Sequence, residues 1–455
     1  MNRYFFVCVF ILLLSIQWVS GQWVVKSIII ENNRHTNDFV ILRHLTFHVG
    51  DTLSERIIDS LIIQNQNNLK NTALFNIIQI STEKDSVLHS IQFIVYVEER
   101  WYLWPYPILE HADRNFSSFV YYGDWAKVNY GFFLVKYNFR GRQEILKAKF
   151  RKGYHEQYGL FYDKPYFKNH LRTGLGFQVA LNRQHETVVA IRNNQPVYHR
   201  DTNPDTRYIY VRLLGHLYRT IYNTLSFSLG WNDYRVSPAL INENPLYFGL
   251  PQTQLKYLSV SLSWSLNRCD IHYYPLAGYF LSAKFIHRGG WPDKRFLVQS
   301  ILITGKRYWQ KRRWSWAIFG EGYAANNHTS FFLQQGTGYY GHYLRGFEYF
   351  VINGNRYFLN KYFLRYKIFD KQHIVLTSLP LSKFNKTYLA VYGNVFFENG
   401  YVSTPHLTNT MQNTYLYSYG IGIDFVTYYD KVFRIDFSRN NFGYNGIYLH
   451  MSAPF

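Results

Sequence analysis

The chain has 455 residues, of which 17% are charged and 20% aromatic, with 42 Tyr and 37 Phe. Its formal net charge is +20, from 49 Lys and Arg against 29 Asp and Glu. The basic residues do not gather in a tail or along one helix; they fall at alternate positions, as in Lys147, Lys149 and Arg151, which argues against nucleic acid as a partner and for a wet basic lumen or loops on anionic lipid head groups. The aromatic excess suits a protein facing lipid on one side and water on the other, because Tyr and Trp settle at membrane interfaces. Past residue 20 no apolar run is long enough for a bilayer-crossing helix. A membrane protein without such runs is left with a closed barrel, since backbone polar groups cannot stay unpaired in hydrocarbon.

Residues 1–21 read as a secretory signal peptide: Arg3 gives a positive start, Tyr4 to Ile16 is nearly all apolar, and Val19-Ser20-Gly21 supplies small residues before a cleavage expected at Gln22. Cys8 lies inside that segment, which leaves Cys269 alone in the mature chain and no intrachain disulfide.

From residue 22 to about 105 the pattern is β-α-α-β-β. Val24 to Ile30 is rich in β-branched residues and predicts a strand; Asn32-Asn33 predicts a turn. Thr36 is placed to cap a helix through Phe39, Val40, Leu42 and Leu45, which Gly50-Asp51 breaks. A second helix is expected from Thr52 or Ser54, with Ile57, Ile58, Leu61 and Ile62 at helical spacing toward Leu69. Strands are expected at Asn76 to Ser81 and Ile91 to Glu98. This order, the Gly50-Asp51 break, the Asn71-Thr72-Ala73-Leu74-Phe75-Asn76 entry and the closing Val97-Glu98-Glu99-Arg100 resemble a POTRA domain. The resemblance implies a periplasmic module whose strand edge pairs with an extended client; a single copy leaves a mere spacer as the other reading. Residues 106–126 are expected as a linker.

Residues 127–455 alternate with period two, as strands with one face in lipid must. Leu258, Val260, Leu262, Trp264 and Leu266 alternate with Ser259, Ser261, Ser263, Ser265 and Asn267; Tyr419, Ile421, Ile423 and Phe425 alternate with Ser418, Gly420, Gly422 and Asp424. Asn203-Pro204-Asp205 and Gly289-Gly290-Trp291-Pro292 read as turns between such segments. The expectation is a mainly β chain: a transmembrane antiparallel barrel of about sixteen strands. In the last segment Ile447, Leu449, Met451, Ala453 and Phe455 share one face, which resembles the carboxy-terminal β-signal of outer-membrane barrels.

A long loop between the segments around Trp316 to Ala324 and from Arg356 contains Tyr343-Leu344-Arg345-Gly346-Phe347. It resembles the arginine-glycine-aromatic tip of the inward-folded loop in the BamA/TamA-like insertase and translocase superfamily, also called the bacterial surface antigen family. A loop threaded into a lumen needs an anchor, and a guanidinium can fork onto a carboxylate. Alternation turns Glu398 and Asp424 inward, so either is a candidate partner for Arg345. Phe396-Phe397-Glu398-Asn399-Gly400 resembles the family's wall motif, which usually has Asp where Glu398 stands. Asp113-Arg114-Asn115-Phe116 and Asn138-Phe139-Arg140-Gly141-Arg142 fit variants with short N-terminal regions.

The resemblance implies assembly, insertion or translocation of proteins at a bacterial outer membrane, with unfolded outer-membrane clients and accessory lipoproteins as partners, and with a barrel seam between 127–137 and 447–455 that opens. One POTRA-like domain points to a specialised member. A secretion pore or passive channel for one partner, and a structural surface antigen without transport, are the alternatives. The sequence has no Gly-x-Ser-x-Gly, paired-His helix motif, cysteine pair or phosphate-cradling glycine loop, so no enzyme, cofactor or metal is expected.

Overall fold

The computed structural model describes residues 22–111, 128–167, 172–200, 205–326, 330–338, 342–375, 386–405, 407–427 and 431–452. The expected signal peptide, Asp113 to Phe116, Asn203-Pro204 and Phe455 lie outside them. The chain divides into two compact units between Arg100 and Trp101.

The first unit runs β1 (Gln22–Glu31), α1 (Asp38–Leu42), β2 (Thr52–Ser54), α2 (Glu55–Lys70), β3 (Phe75–Asp85) and β4 (Ser90–Glu99). The sheet order is β2-β1-β4-β3, with β1 and β4 parallel and the other pairs antiparallel. Alternation on β4 sends Phe93, Val95 and Val97 into the core, where Val40, Ile41, Ile58 and Leu69 of the helices are also buried; the Phe47 and Phe93 rings lie 4.1 Å apart. Two boundaries differ from expectation. Thr36 does not cap α1: its amide and hydroxyl both donate to Glu99 Oε1 at 2.6 Å, Asn37 takes the cap position, and the helix ends at Leu42. Residues Thr52–Ser54 pair with β1, which delays α2 to Glu55.

In the second unit sixteen strands form one antiparallel sheet: β5 (Leu103–His111), β6 (Val128–Phe139), β7 (Glu144–Gly153), β8 (His155–Lys164), β9 (Thr173–Gln184), β12 (Thr206–Thr220), β13 (Asn223–Val236), β14 (Gln254–Asn267), β15 (Gly278–Pro292), β16 (Leu297–Lys311), β17 (Trp314–Ala325), β20 (Arg356–Val375), β21 (Lys386–Ser403), β22 (Tyr415–Thr427), β23 (Lys431–Asn440) and β24 (Asn445–Ser452). A hairpin, β10 (Glu186–Arg192) and β11 (Gln195–Arg200), stands between β9 and β12, and a short pair, β18 (Gln335–Thr337) and β19 (Ile352–Gly354), flanks the Arg345 loop. The period-two alternation is visible on β22: Ser418 and Asp424 are fully buried, whereas Tyr419, Ile421 and Ile423 are exposed. The Gly289-Gly290-Trp291-Pro292 stretch is the irregular end of β15, not a turn between strands; both glycines have positive φ and the reversal falls after Pro292.

The largest correction concerns where the sheet begins. Residues 103–111, expected as the end of the small domain and part of a linker, are β5, which pairs along its length with β6. Pro105 and Pro107 argue against a strand inside a sheet, but an edge admits them, and β5 is at the edge. The two terminal strands are therefore β5 and β24, and 127–137 is not the seam.

At the end of the sheet where β5 starts, several links are short, as at 140–143, 221–222 and 312–313. The link 268–277 is longer and crosses inward: the Tyr274 hydroxyl donates to Asp424 Oδ2 at 2.7 Å, Tyr273 meets Tyr388 hydroxyl to hydroxyl, and the Tyr274 ring lies 4.9 Å from that of Tyr392. At the other end several links are long, and 237–253 carries α3 (Pro238–Glu243). There Leu240, Tyr247, Phe248 and Phe296 pack with Phe331 and Phe332, while Asn194 at the tip of the β10–β11 hairpin accepts from Val351 and bonds Asn409.

Candidate functional site

The site is built around Arg345, whose side chain is 2% exposed. It reaches the inner wall because the loop between β18 and β19 is held by apolar contacts on both sides of the arginine. Leu344 and Phe347 are fully buried with Ile352, Leu359, Val402 and Leu416. Gly346 turns the backbone with φ of 82°, in the region that glycine adopts without strain. Its carbonyl accepts from Asn440 Nδ2 at 2.7 Å.

Arg345 Nε donates to Glu398 Oε1 at 2.6 Å, and the Arg345 backbone amide donates to Glu398 Oε2 at 2.9 Å. One carboxylate thus holds both the side chain and the main chain of the same residue. Nη1 donates to Asp436 Oδ1 at 3.1 Å and to Asn394 Oδ1 at 3.4 Å. The guanidinium lies over the Phe396 ring at 3.5 Å from its centroid, the stacking that a flat, weakly hydrated cation favours. Space for this layer comes from β22: a Cβ on Gly420 would stand 2.5 Å from Phe396 Cζ, and one on Gly422 would stand 2.0 Å from Asp436 Oδ1.

Asp424, the second expected partner, does not touch Arg345. It accepts from Arg434 Nε at 2.7 Å, from Asn394 Nδ2 at 2.9 Å and from Tyr274. Asn394 thus bridges the two carboxylate sites through its two amide atoms. Lys361 Nζ donates to the Tyr343 carbonyl at 2.6 Å and lies 3.5 Å from Glu398 Oε2. The network sets three carboxylates, Glu398, Asp424 and Asp436, against three cations, Arg345, Lys361 and Arg434. Matched charges of this kind are what burial requires. His450 stacks on Tyr343 at 5.1 Å and lies 3.4 Å from Glu348. Burial among these groups holds the Glu348 carboxyl above its ordinary range.

Of the residues singled out from the sequence, Leu344, Arg345, Gly346, Phe347 and Glu398 come together. Ile447, Leu449 and Met451 face outward on β24. Sequence reasoning missed Asp436, Asn394 and Lys361, and it named Phe396 in the wall motif without assigning it the contact with Arg345. Period-two alternation applied to β23 would have turned Asp436 inward as it turned Asp424, so a signal existed, but it carried no information on which inward carboxylate meets the loop. Among the described residues, no group of three His, Cys, Asp or Glu side chains could hold a metal ion.

A sixteen-stranded antiparallel sheet with outward apolar and inward polar faces, and a small α/β unit before it, is the fold of outer-membrane β-barrels of the BamA and CdiB type. Two solved structures show the likeness. BamA from Haemophilus ducreyi lacking POTRA domains 1–3 is 14% identical, with a TM-score of 0.51, over 94% of this chain and 84% of that one. CdiB from Escherichia coli is 10% identical, with a TM-score of 0.56, over 94% of this chain and 75% of that one. At such identities the likeness is one of fold. No protein-family model matches the chain, and no curated protein matches it.

Proposed function

We propose that this chain is an outer-membrane assembly factor that inserts or translocates other proteins, with its barrel in a bacterial outer membrane and its small α/β unit, a POTRA-like domain, in the periplasm. The observation that carries this reading is the Arg345 loop, fastened inside the barrel wall by Glu398 and Asp436. The anchor keeps a loop of this chain seated in the barrel interior, and this is the feature that resembles the insertase and translocase superfamily. Unfolded outer-membrane proteins are the clients, and the exposed apolar face of the strands is the lipid contact. Accessory lipoproteins and anionic head groups are further partners on this reading.

The test is reconstitution of the full chain in liposomes with an unfolded outer-membrane barrel as client. Folding of the client, read by its heat-modifiable migration on gels, is expected to accelerate over empty liposomes. An unchanged rate would remove the insertase reading.

A second reading, export of one partner through the lumen, is favoured by Arg212, Lys284 and Arg288. The register aligns Arg212 with Gly230, Ser259 and Arg288 across four strands. Arg212 and Arg288 bond only neutral side chains, Gln178 and Ser300, so among the described residues this stretch of wall is cationic and open. Depletion separates the readings: loss of several barrels from the membrane favours insertion, loss of one exported protein favours a pore.

A further inference from the structure

The inner wall carries its charge unevenly. On β20 to β24 three carboxylates, Glu398, Asp424 and Asp436, meet three cations, Arg345, Lys361 and Arg434. On β12 and β15 the cations Arg212, Lys284 and Arg288 have no carboxylate partner among the described residues. The register places all three on the lumen face. Arg212 shares a row with Gly230, Ser259 and Arg288, and Lys284 lies two inward steps along, in the row of Ser263, Ser226 and His216. Their sequence neighbours Val211, Leu213 and Phe285 are exposed on the other face. Asp163, which shares this stretch of wall, is engaged by His216 Nε2 at 3.2 Å.

What the three cations touch is weak. Arg212 Nη1 donates to Gln178 Oε1 at 3.5 Å, and Arg288 Nη1 donates to Ser300 Oγ at 3.3 Å. Both bonds are at the long end of the hydrogen-bond range, and both partners are neutral. They stand on β9 and β16, on the far sides of the row, so the two guanidiniums lean apart. The charges that Lys284 feels are those of Arg212 and Arg288, and both repel it. Between the arginines the wall is built from small residues, Gly230 and Ser259 in their own row, Ser228 and Ser261 in the next. A Cβ on Gly230 would stand 2.6 Å from Ser259 Oγ, and the Ser228 and Ser261 hydroxyls meet at 2.6 Å. Neighbouring strands lie about 4.8 Å apart, which sets the two arginine backbones about 14 Å apart across this low floor.

We infer that Arg212, Lys284 and Arg288 form a binding site for a dissolved anion of the phosphate class, a polyphosphate or a phosphate monoester, on the lumen wall. Clustered like charges repel until a counter-charge arrives. A multivalent anion between the arginines offers each guanidinium a charge-assisted bond, about twice as strong as the neutral bond that it replaces. Two arginine forks match phosphate oxygens, and the lysine adds a compact third charge. Arg and Lys side chains lining a pore are also what selects for anions and phosphate. The charge is concentrated over a small floor, which fits a compact anion better than an acidic polypeptide whose charges are strung along the chain. Lipid head groups lie against the outer face of the barrel, so the anion comes from solution. The inference goes beyond the insertase reading and does not depend on it.

The experiment titrates inorganic pyrophosphate into the full chain in detergent micelles, read by calorimetry. Saturable binding at one site per chain is expected. Arg212→Gln with Arg288→Gln is expected to weaken it by at least about tenfold, because two charge-assisted bonds are lost. Removing charges that repel one another leaves the barrel intact, which heat-modifiable migration verifies. Pyrophosphate should raise the unfolding temperature of the parent and not that of the double variant. Lys147→Gln with Lys149→Gln, on the inner face of β7, is the control and should stay within about twofold of the parent. An equal loss in that control would mean a diffuse lumenal field and no site. Failure of the parent to bind, or parent-like binding by the double variant, would overturn the inference, while the insertase reading stands or falls on client folding. A short oligoglutamate that binds more tightly than pyrophosphate would overturn it in favour of an acidic polypeptide. Loss of pyrophosphate binding in nanodiscs containing phosphatidylglycerol, but not in phosphatidylcholine nanodiscs, would overturn it in favour of lipid head groups.

Discussion

Arg345→Ala is the most informative single substitution. It removes the cation that Glu398 and Asp436 share at 2.6 and 3.1 Å and leaves both carboxylates buried, with Lys361 as the remaining neighbour of Glu398 at 3.5 Å. Deleting one member of a buried, hydrogen-bonded ion pair costs about 3–5 kcal/mol, most of it from the charge left behind. The cation–π contact with Phe396 at 3.5 Å adds about 1 kcal/mol within that range. Arg345→Lys is expected to lose less, because it keeps the charge but cannot fork between two carboxylates or lie flat on the ring. Glu398→Asp is the sharper control. Glu398 spans the side chain and backbone amide of Arg345 at once, and a carboxylate shorter by one methylene would have to give up one of them unless the loop moved. The assay is urea unfolding of the barrel in detergent micelles, paired with protease digestion of residues 342–351, which release of the loop would expose. An Arg345→Ala chain within about 0.5 kcal/mol of the parent, with the loop still protected, would refute the argument that this pair anchors the loop.

The inward link 268–277 gives a second expectation. Burial pushes the Cys269 thiol up to about 12, so at pH 8 its thiolate fraction is lower than that of a free cysteine by about a thousandfold. Maleimide labelling should be correspondingly slow, and Tyr274→Ala, which removes the bond to Asp424 and the ring on Tyr392, should raise it by at least about tenfold; equal rates would mean that the link is not held by Tyr274. Gly346→Ala should destabilise the loop by about 1–2 kcal/mol, because φ is 82° and the added methyl would sit 3.3 Å from Ser438 Oγ; the same urea experiment reads it. In the first unit, Glu99→Ala strips acceptors from the amides of His35 and Thr36, at a cost of about 1.5–3 kcal/mol. Hydrogen exchange over residues 33–45 should accelerate, and unchanged protection would show that Glu99 is not what ties the α1 entry to β4.

The alternation along β14 and β22 was legible residue by residue, because a strand's side chains change face at every step whatever the strand pairs with. The inward direction of Glu398 and Asp424, and the outward one of Ile447, Leu449 and Met451, followed from that alone. So did the apolar face of β4 and the burial of Ile58 and Leu69 on α2, although Ile57, expected on the same face, is exposed. Two things did not follow. Pro105 and Pro107 hid β5, since a proline's cost depends on whether its missing donor faces a neighbour or an open edge, and that parity exists only once β5 is laid against β6. The choice of Asp436 over Asp424 beside Arg345 likewise depends on where β23 and β22 stand in register and on how deep Leu344 and Phe347 seat the loop. Local periodicity decided which face each residue takes; contacts between segments far apart in the chain decided its partner, because they rest on register and loop seating that no single strand encodes.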